Sequence, residues 1–156
     1  MNRPRILIVD DDPSLVRLLQ YRLEKRDGYR VFSASNGEEA LEQSLSTQPD
    51  LVLLDWVMPG LSGLEVLKLL KKNKETREQS VIMLTACNLV GELEQAFEVG
   101  AEGYLTKPTH LDKVSAKVSE VLKSRTKKEN VRLSDWLGNL QLSLLVRSTI
   151  SGHRIK

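Results

Sequence analysis

Residues 51–60 read Leu-Val-Leu-Leu-Asp-Trp-Val-Met-Pro-Gly, an apolar run that ends in an acid and a Pro-Gly pair. Four consecutive apolar residues are typical of a parallel strand whose sheet is covered on both faces. Asp55 closes this run, and the Pro-Gly pair after it indicates a loop. The stretch therefore predicts a buried strand of an α/β fold with a carboxylate at its carboxyl end.

The same arrangement recurs along the chain. Apolar runs predict strands at 5–9, 30–34, 51–54, 81–84 and 103–106. Between them, apolar residues recur at helical spacing, as at Leu15, Leu18, Leu19 and Leu23, and later at Leu93, Ala96 and Phe97. Asn36-Gly37 is typical of a helix entry, and Gly100 of a helix stop. Five βα units with right-handed crossovers predict (βα)₅, a doubly wound parallel sheet.

Polar residues stand where the predicted strands end. Asp10 and Asp11 follow strand 1, Thr85 follows the apolar run of strand 4, and Lys107 follows strand 5. Doubly wound sheets bind ligands outside the carboxyl ends of their strands, where the strand order reverses. If strands 1 and 3 flank that point, Asp10, Asp11 and Asp55 converge there, with Thr85 and Lys107 on the same rim.

This set of side chains suits phosphoryl chemistry. Acids that converge repel one another and need a cation, and an all-oxygen site suits Mg²⁺. Asp55 is the candidate nucleophile because carboxylates form acyl phosphates. Lys107 would pair with the phosphoryl group as a point charge, and Thr85 would give it a hydrogen bond. Asp12 differs, since Pro13 after it predicts a helix N-cap.

Four motifs together carry a resemblance. They are Val9-Asp10-Asp11, Leu54-Asp55 followed by Met58-Pro59-Gly60 and Gly63, Leu84-Thr85-Ala86, and Tyr104-Leu105-Thr106-Lys107-Pro108. Residues 4–124 resemble the receiver (CheY-like) domain of two-component response regulators. The resemblance implies a flavodoxin-like fold with strand order 2-1-3-4-5. It also implies a protein that is not an enzyme beyond catalysing its own phosphorylation and dephosphorylation.

The resemblance also implies a metal site and a phosphoryl donor. Asp55 would accept a phosphoryl group from a sensor histidine kinase. Asp11 and Asp55 would ligate Mg²⁺ together with the main-chain carbonyl of Val57, and Asp10 would act largely through a water on the metal.

Further roles follow from the resemblance for the last two strands. Thr85 and Lys107 would bind the phosphoryl oxygens, and Tyr104 would report the switch between states. Lys107-Pro108 matches the cis peptide of the family. Thr109 departs from the pattern, because the family usually has Phe there.

The composition sets outer limits. The 156 residues are 40% hydrophobic, which suffices for a core, and no apolar run approaches membrane-spanning length. The amino terminus has no signal-peptide pattern, and one cysteine allows no internal disulfide, so a cytoplasmic protein is expected. That cysteine, Cys87, is expected to pack in a loop. His110 is expected at the surface or at a helix start, and Trp56 at the rim of the pocket, partly exposed.

The carboxyl-terminal residues differ from the rest. Residues 1–122 hold 15 Lys/Arg and 19 Asp/Glu, a net −4, whereas residues 123–156 hold 8 and 2, a net +6. Residues 125–132 are interpreted as a linker. Within 133–156, apolar residues alternate at Leu140, Leu142 and Leu144 before the Ser151-Gly152 turn, which predicts short antiparallel strands.

This segment resembles the first strands of the winged-helix effector domain in OmpR/PhoB-type regulators. The full-length form would then regulate transcription, and DNA would be a partner only if a complete effector domain follows. The alternative is an extension that packs on the receiver or stays disordered.

Two other functions remain open. A stand-alone receiver would signal by docking helix 4, strand 5 and helix 5 to a partner. By the resemblance, OmpR/PhoB-type regulators usually dimerise through the same face, where Glu102 and Lys117 keep the family's charge type but Gln95 and Gly103 do not. The other alternative is a haloacid-dehalogenase-like phosphatase with Asp10 as nucleophile, since Asp10 to Ser14 fit its Asp-x-Asp-x-Thr/Ser pattern.

Overall fold

The computed structural model describes residues 2–86 and 90–151. The strands are β1 Arg5–Val9, β2 Arg30–Ala34, β3 Leu51–Asp55, β4 Ser80–Thr85 and β5 Gly103–Thr106. The helices are α1 Pro13–Tyr21, α2 Gly37–Thr47, α3 Gly63–Lys72, α4 Val90–Val99 and α5 Leu111–Ser151. A π-helical turn, Arg22–Arg26, continues α1, where the N–H of Asp27 donates to the carbonyl of Arg22 at 3.2 Å. The five predicted strands are confirmed to within one residue at each end.

The five strands form one parallel sheet in the order β2-β1-β3-β4-β5. The predicted doubly wound, flavodoxin-like α/β fold is therefore confirmed. The order reverses between β1 and β3, where Val9 lies opposite Leu54. This register places the residues that follow β1 beside the carboxyl end of β3.

Helices cover both faces of the sheet, which explains the unbroken apolar runs. Alternate residues of β1 point to opposite faces: Leu7 and Val9 pack with α2, α3 and α4, whereas Ile6 and Ile8 pack with α1 and α5. All four side chains are fully buried. Burying an aliphatic side chain of this size contributes about 1.5–3 kcal/mol, so the strands are fixed firmly enough to hold charged groups at their ends.

Helix starts follow the predicted signals. Asp12 caps α1 by accepting the N–H groups of Ser14 and Leu15 at 2.9 and 3.3 Å. Asn36 caps α2 by accepting the N–H of Glu39 at 2.8 Å. Both caps confirm the sequence interpretation. Asp12 therefore stabilises the start of α1, which distinguishes it from Asp10 and Asp11.

The predicted strands near residues 140–150 are wrong, because α5 continues through them to Ser151. The apolar alternation at 140, 142 and 144 is short. Leu133, Leu137, Leu140 and Leu144 also recur every three or four residues, which is helical spacing, and 109–151 contain no proline. Residues 152–156, where the turn was predicted, lie outside the described residues.

The chain divides into two compact units with a boundary between Leu122 and Lys123. The first contains the sheet. The described part of the second is the remainder of α5, whose apolar side chains, such as Trp136 and Leu142, are largely exposed. Within 2–86 and 90–151, no helix combines the length and apolarity needed to span a membrane.

Candidate functional site

Three acids converge at the carboxyl edge of the sheet. Asp10 follows β1, Asp11 follows Asp10, and Asp55 is the last residue of β3. Ligand oxygens of these three side chains all lie within 4.8 Å of one another, and we call them the acidic cluster. Asp10 and Asp55 are buried, 1% and 5% exposed, while Asp11 is exposed. The cluster is thus anchored in the core and accessible on the side of Asp11.

Lys107 bridges the two buried acids. Its Nζ lies 2.5 Å from Asp10 Oδ2 and 3.0 Å from Asp55 Oδ1. The second oxygen of Asp10 accepts the N–H of Asp12 at 2.9 Å. The N–H of Lys107 donates to the carbonyl of Thr85 at 2.7 Å, and the peptide bond to Pro108 is cis. The ammonium of Lys107, the residue after β5, thus joins the two buried acids.

Burial and like charge both act on Asp55. Its pKa is raised, first by burial and then by the negative charges of Asp10 and Asp11, and the hydrogen bond and charge of Lys107 only partly oppose this. Burial lowers the pKa of Lys107, but its bonds to Asp10 and Asp55 outweigh that effect and leave the pKa raised. Burial and the neighbouring acids thus disfavour negative charge on Asp55, whereas the two acids favour positive charge on Lys107.

The other predicted site residues are Thr85, Val57 and Tyr104. Thr85 ends β4 and is 2% exposed, with its neighbour Leu84 opposite Asp55. The side chain of Val57, in the loop after β3, is 70% exposed. Tyr104 lies on β5, half-exposed, and its ring meets Phe97 of α4 edge-on at 6.0 Å.

A hollow of about 270 Å³ borders the acids. Besides Asp10 and Asp11, it is lined by Arg17 and Gln20 of α1 and by Glu39 of α2. Glu39 is held in place, because its carboxylate accepts the N–H and the hydroxyl of Ser35, both at 2.9 Å. The hollow gives the exposed side of the cluster defined polar walls.

Trp56 corrects one prediction. Its side chain is 8% exposed and packs in the core with α2, α3 and α4, so it is not at the rim. The cause lies in the main chain, where the N–H of Trp56 donates to the carbonyl of Leu84 at 2.8 Å and extends the β3–β4 pairing. His110 is exposed and directly precedes α5, as predicted. Cys87 lies outside the described residues.

Sequence reasoning assigned no contact at the site to two of its neighbours, although Gly63 belongs to the motif that follows Asp55. Phe97 was assigned to an apolar helix stripe, yet it is 45% exposed beside Tyr104. Gly63 begins α3 and donates its N–H to the carbonyl of Trp56 at 2.9 Å. Nothing in the sequence pointed to Phe97. A glycine in the first turn of a helix, where most residues are better helix formers, was a usable signal for Gly63.

The acidic cluster has the donors of a metal site. Its three carboxylates can together hold a metal ion. Oxygen ligands alone, partly buried and partly open to solvent, suit a small hard dication better than a transition metal. The three acids and Lys107 sum to −2, so a dication would neutralise the group.

Comparisons with known proteins agree with this geometry. The model of the response regulator receiver domain family matches residues 6–119. A response regulator receiver domain protein (CheY-like) from Methanospirillum hungatei JF-1 superposes with a TM-score of 0.76 at 28% identity. That match covers 81% of this chain and 99% of the other. The matched family is not a known family of catalytic enzymes, so the phosphatase alternative has no support.

Curated relatives extend the match. The alkaline phosphatase synthesis transcriptional regulatory protein PhoP of Bacillus subtilis (strain 168) is 44% identical over 123 residues, 79% of this chain and 50% of PhoP. The phosphate regulon transcriptional regulatory protein PhoB of Rhizobium meliloti (strain 1021) is 34% identical over 151 residues, 97% of this chain and 64% of PhoB. The chain thus spans about half the length of PhoP and under two thirds of PhoB.

Proposed function

Because this chain belongs to the response regulator receiver domain family, we propose that it accepts a phosphoryl group on Asp55 from a histidine kinase. The observation that carries the proposal is the arrangement of four side chains. A buried Asp55 ends the central strand, faces Asp10 and Asp11, and has one ammonium 3.0 Å away. Such a carboxylate can act as a nucleophile once the charge around it is balanced.

Mg²⁺ is the proposed cofactor. Asp10, Asp11, Asp55 and the main-chain carbonyl of Val57 would hold it, and it would supply positive charge for the oxygens of the transferring phosphoryl group. The support is the all-oxygen donor set and the −2 charge of the cluster with Lys107.

The proposed transfer is a displacement at phosphorus. One Asp55 carboxylate oxygen forms a bond to phosphorus as the bond from phosphorus to the donor histidine nitrogen breaks, and that nitrogen keeps the electron pair. Arg17 and Gln20, which line the hollow beside the acids, are suited to contact the donor side. The acyl phosphate formed on Asp55 is later hydrolysed, so the receiver acts on itself and not on a separate substrate.

Lys107 and Thr85 are the proposed sensors of the phosphoryl group. Lys107 holds Asp10 and Asp55 before transfer, and a phosphoryl group on Asp55 offers the ammonium a stronger, doubly charged partner. Thr85 would donate its hydroxyl to the same group. Contacts made only after phosphorylation shift the population toward the active state. Tyr104, on β5 three residues before Lys107 and half-exposed, is the proposed reporter of that shift.

Two outputs are considered for the phosphorylated state. Regulation of transcription by a longer form is supported by the names of the relatives, both transcriptional regulatory proteins. Docking of α4, β5 and α5 to a partner protein is supported by the exposed pair Phe97 and Tyr104. A symmetric salt-bridge dimer through this face is less favoured, because Gln95 and Gly103 do not carry the charges that such a dimer uses. A DNA-binding assay with promoter fragments separates the two outputs.

The test of the proposal is phosphorylation of the 156-residue chain. We expect acetyl phosphate and Mg²⁺ together to add one base-labile phosphoryl group, seen by intact mass and located at Asp55 by borohydride reduction and peptide mapping. Omitting Mg²⁺ should suppress the reaction. Labelling of any other residue, or labelling that is independent of Mg²⁺, would contradict the assignment.

A further inference from the structure

Helix α3 begins in direct contact with the main chain of Asp55. Gly63, its first residue, is buried, and its N–H donates to the carbonyl of Trp56 at 2.9 Å. A β-carbon at Gly63 would overlap the main-chain oxygen of Asp55 and would lie 2.9 Å from Trp56 Cα and 3.0 Å from the Asp55 carbonyl carbon. Real β-carbons do not approach main-chain atoms this closely, so only glycine fits.

This contact differs from those of the other glycines that the structure describes. At Gly63 the three nearest atoms are all main chain, whereas at Gly37 the nearest are side-chain atoms of Leu61 and Val66, at 2.6 and 2.8 Å. At Gly138 nothing lies within 4 Å. Val66 Cγ2 can move by rotation of its side chain and Leu61 Cβ can move with its loop, but the end of a central strand cannot yield without moving as a whole.

Neighbouring strands hold the other side of the same main chain. Asp55 lies opposite Leu84 in the β3–β4 ladder, and the N–H of Trp56 donates to the carbonyl of Leu84 at 2.8 Å. Asp55 and Trp56 are therefore clamped between β4 and the start of α3. A methyl group at Gly63 has to push the strand end, the helix start or both.

Helix formation does not account for this glycine. Ser62 already caps α3, and Glu65 completes a capping box, with hydrogen bonds of 3.2 and 2.7 Å between them. Glycine in the helix itself is less favourable than alanine. Its value at position 63 is thus the close approach to Asp55.

We propose that Gly63 is a positioning residue, whose missing side chain sets where the Asp55 carboxylate stands relative to Asp10 and Asp11. The inference rests on the proposed function of Asp55 and deepens it. The same clamp fixes the start of the loop that contains Val57, so both the acceptor and the proposed main-chain ligand depend on it. Displacing a reacting group by about 1 Å can lower a rate about a hundredfold.

The test compares Gly63→Ala with Gly37→Ala and Gly138→Ala. Gly37→Ala also introduces a buried clash, but against side chains, and Gly138→Ala introduces none. Each variant is measured for melting temperature, for Mg²⁺ affinity by calorimetry, and for the rate of phosphorylation by acetyl phosphate. We expect Gly63→Ala to lose at least about tenfold in rate and in Mg²⁺ affinity. Gly37→Ala should keep both within about threefold of wild type, although its melting temperature is expected to fall to a level similar to that of Gly63→Ala.

The outcomes separate the two levels of inference. Equal rates and affinities for Gly63→Ala and Gly37→Ala would overturn the positioning role while leaving Asp55 as acceptor. If the wild-type chain binds Mg²⁺ but is never phosphorylated, the proposed function fails. In that case, a Mg²⁺ affinity that is lowered in Gly63→Ala and not in Gly37→Ala would still support the positioning role of Gly63. No Mg²⁺ binding by the wild-type chain would overturn both.

A measurement on the wild-type chain covers the case in which Gly63→Ala does not fold. The clamp predicts that the amide resonance of Gly63 shifts when Mg²⁺ is added, together with that of Trp56, while the amide of Gly138 does not. A shift at Trp56 with no change at Gly63 would overturn the proposal.

Discussion

Strand β3 has an aspartate at each end, and the two serve different purposes. Asp50, just before its amino end, accepts the main-chain N–H of Arg5 at 2.8 Å. Asp55, at its carboxyl end, faces two further carboxylates, those of Asp10 and Asp11. We call these two regions the amino edge and the carboxyl edge of the sheet. At the amino edge the carboxylate of Asp50 accepts a hydrogen bond from the main chain, whereas at the carboxyl edge the carboxylate of Asp55 lies next to other carboxylates.

Two lysines repeat the contrast. Lys71, at the amino edge, donates to the carbonyls of Arg77 and Gln79 at 3.1 and 2.7 Å. Lys107, at the carboxyl edge, bonds to carboxylates. Main-chain partners stay fixed for as long as the protein is folded, but a lysine between carboxylates can exchange them for a better anion. The comparison teaches that the partner, and not the residue type, separates a charge fixed by the main chain from a charge that can change its partner.

The largest expected effect comes from replacing each of the two aspartates, Asp55 and Asp50, by asparagine. Asp55→Asn removes the proposed nucleophile, so incubation with acetyl phosphate and Mg²⁺ should add no phosphoryl group by intact mass. Asp50→Asn should be phosphorylated at the wild-type rate and lose roughly 1 kcal/mol of unfolding free energy, because its bond to Arg5 becomes neutral. Base-labile phosphate on Asp55→Asn, or loss of labelling in Asp50→Asn, would contradict the contrast.

The lysines give the next effect. Lys107→Ala leaves the acidic cluster without its ammonium, so the metal-free protein should be destabilised, and Mg²⁺ should raise its melting temperature by more than it raises that of the wild type. Lys71→Ala should lose roughly 1 kcal/mol, mainly through its part-buried bond to the carbonyl of Gln79, with an unchanged response to Mg²⁺. Thermal denaturation with and without Mg²⁺ measures both. An identical Mg²⁺ response in the two variants is the contrary result.

Adjacent acids sharpen the comparison within the carboxyl edge. Asp11→Ala should weaken Mg²⁺ binding by about tenfold or more, since it removes a proposed ligand. Asp12→Ala should leave Mg²⁺ binding unchanged and lower the unfolding free energy by about 1 kcal/mol through loss of the α1 cap. Trp56 fluorescence, in a Trp136→Phe background, follows the titration. If Asp11→Ala gave the same Mg²⁺ titration curve as the wild type, Asp11 would not be a ligand.

The smallest effect concerns an exposed acid at the same edge. Hydrogen bonding to Ser62 holds the pKa of Glu65 below its usual value. Since the folded pKa is the lower one, the stabilisation from Glu65 is complete above its unfolded value of 4.5 and is lost as the pH falls through the folded value. Glu65→Gln should therefore narrow the drop in melting temperature between pH 7 and pH 3. An unchanged drop would mean that the capping box has no ionic component.

Periodicity predicted the architecture because local rules governed it. The apolar runs of β1 and β3 are unbroken since both sheet faces are covered, and the caps at Asp12 and Asn36 satisfy helix ends within three residues. Residues at strand ends were predicted to converge for the same reason, because parallel strands share one carboxyl edge. The individual roles of Asp55, Thr85, Lys107 and Tyr104 stay predictions.

The same rules failed where burial had to decide. Leu140, Leu142 and Leu144 satisfy an alternating pattern, while Leu133, Leu137, Leu140 and Leu144 satisfy a helical one. No residue in the described part of 123–151 is buried. Packing against the rest of the protein therefore gave no reason to prefer the alternating, strand-like pattern or the helical one. The structure has the helix.

By itself, the sequence determined the doubly wound sheet and the gathering of Asp10, Asp11 and Asp55 at one edge. The sheet follows from the spacing of apolar residues in strands and helices, and the gathering of the acids follows because parallel strands end at the same edge. The tertiary structure alone decided that Lys107 bonds to Asp10 as well as Asp55, that Trp56 is buried, and that Gly63 touches the main chain of Asp55. These contacts depend on atoms brought within about 3 Å by packing between distant elements, and no local pattern in the chain encodes such distances.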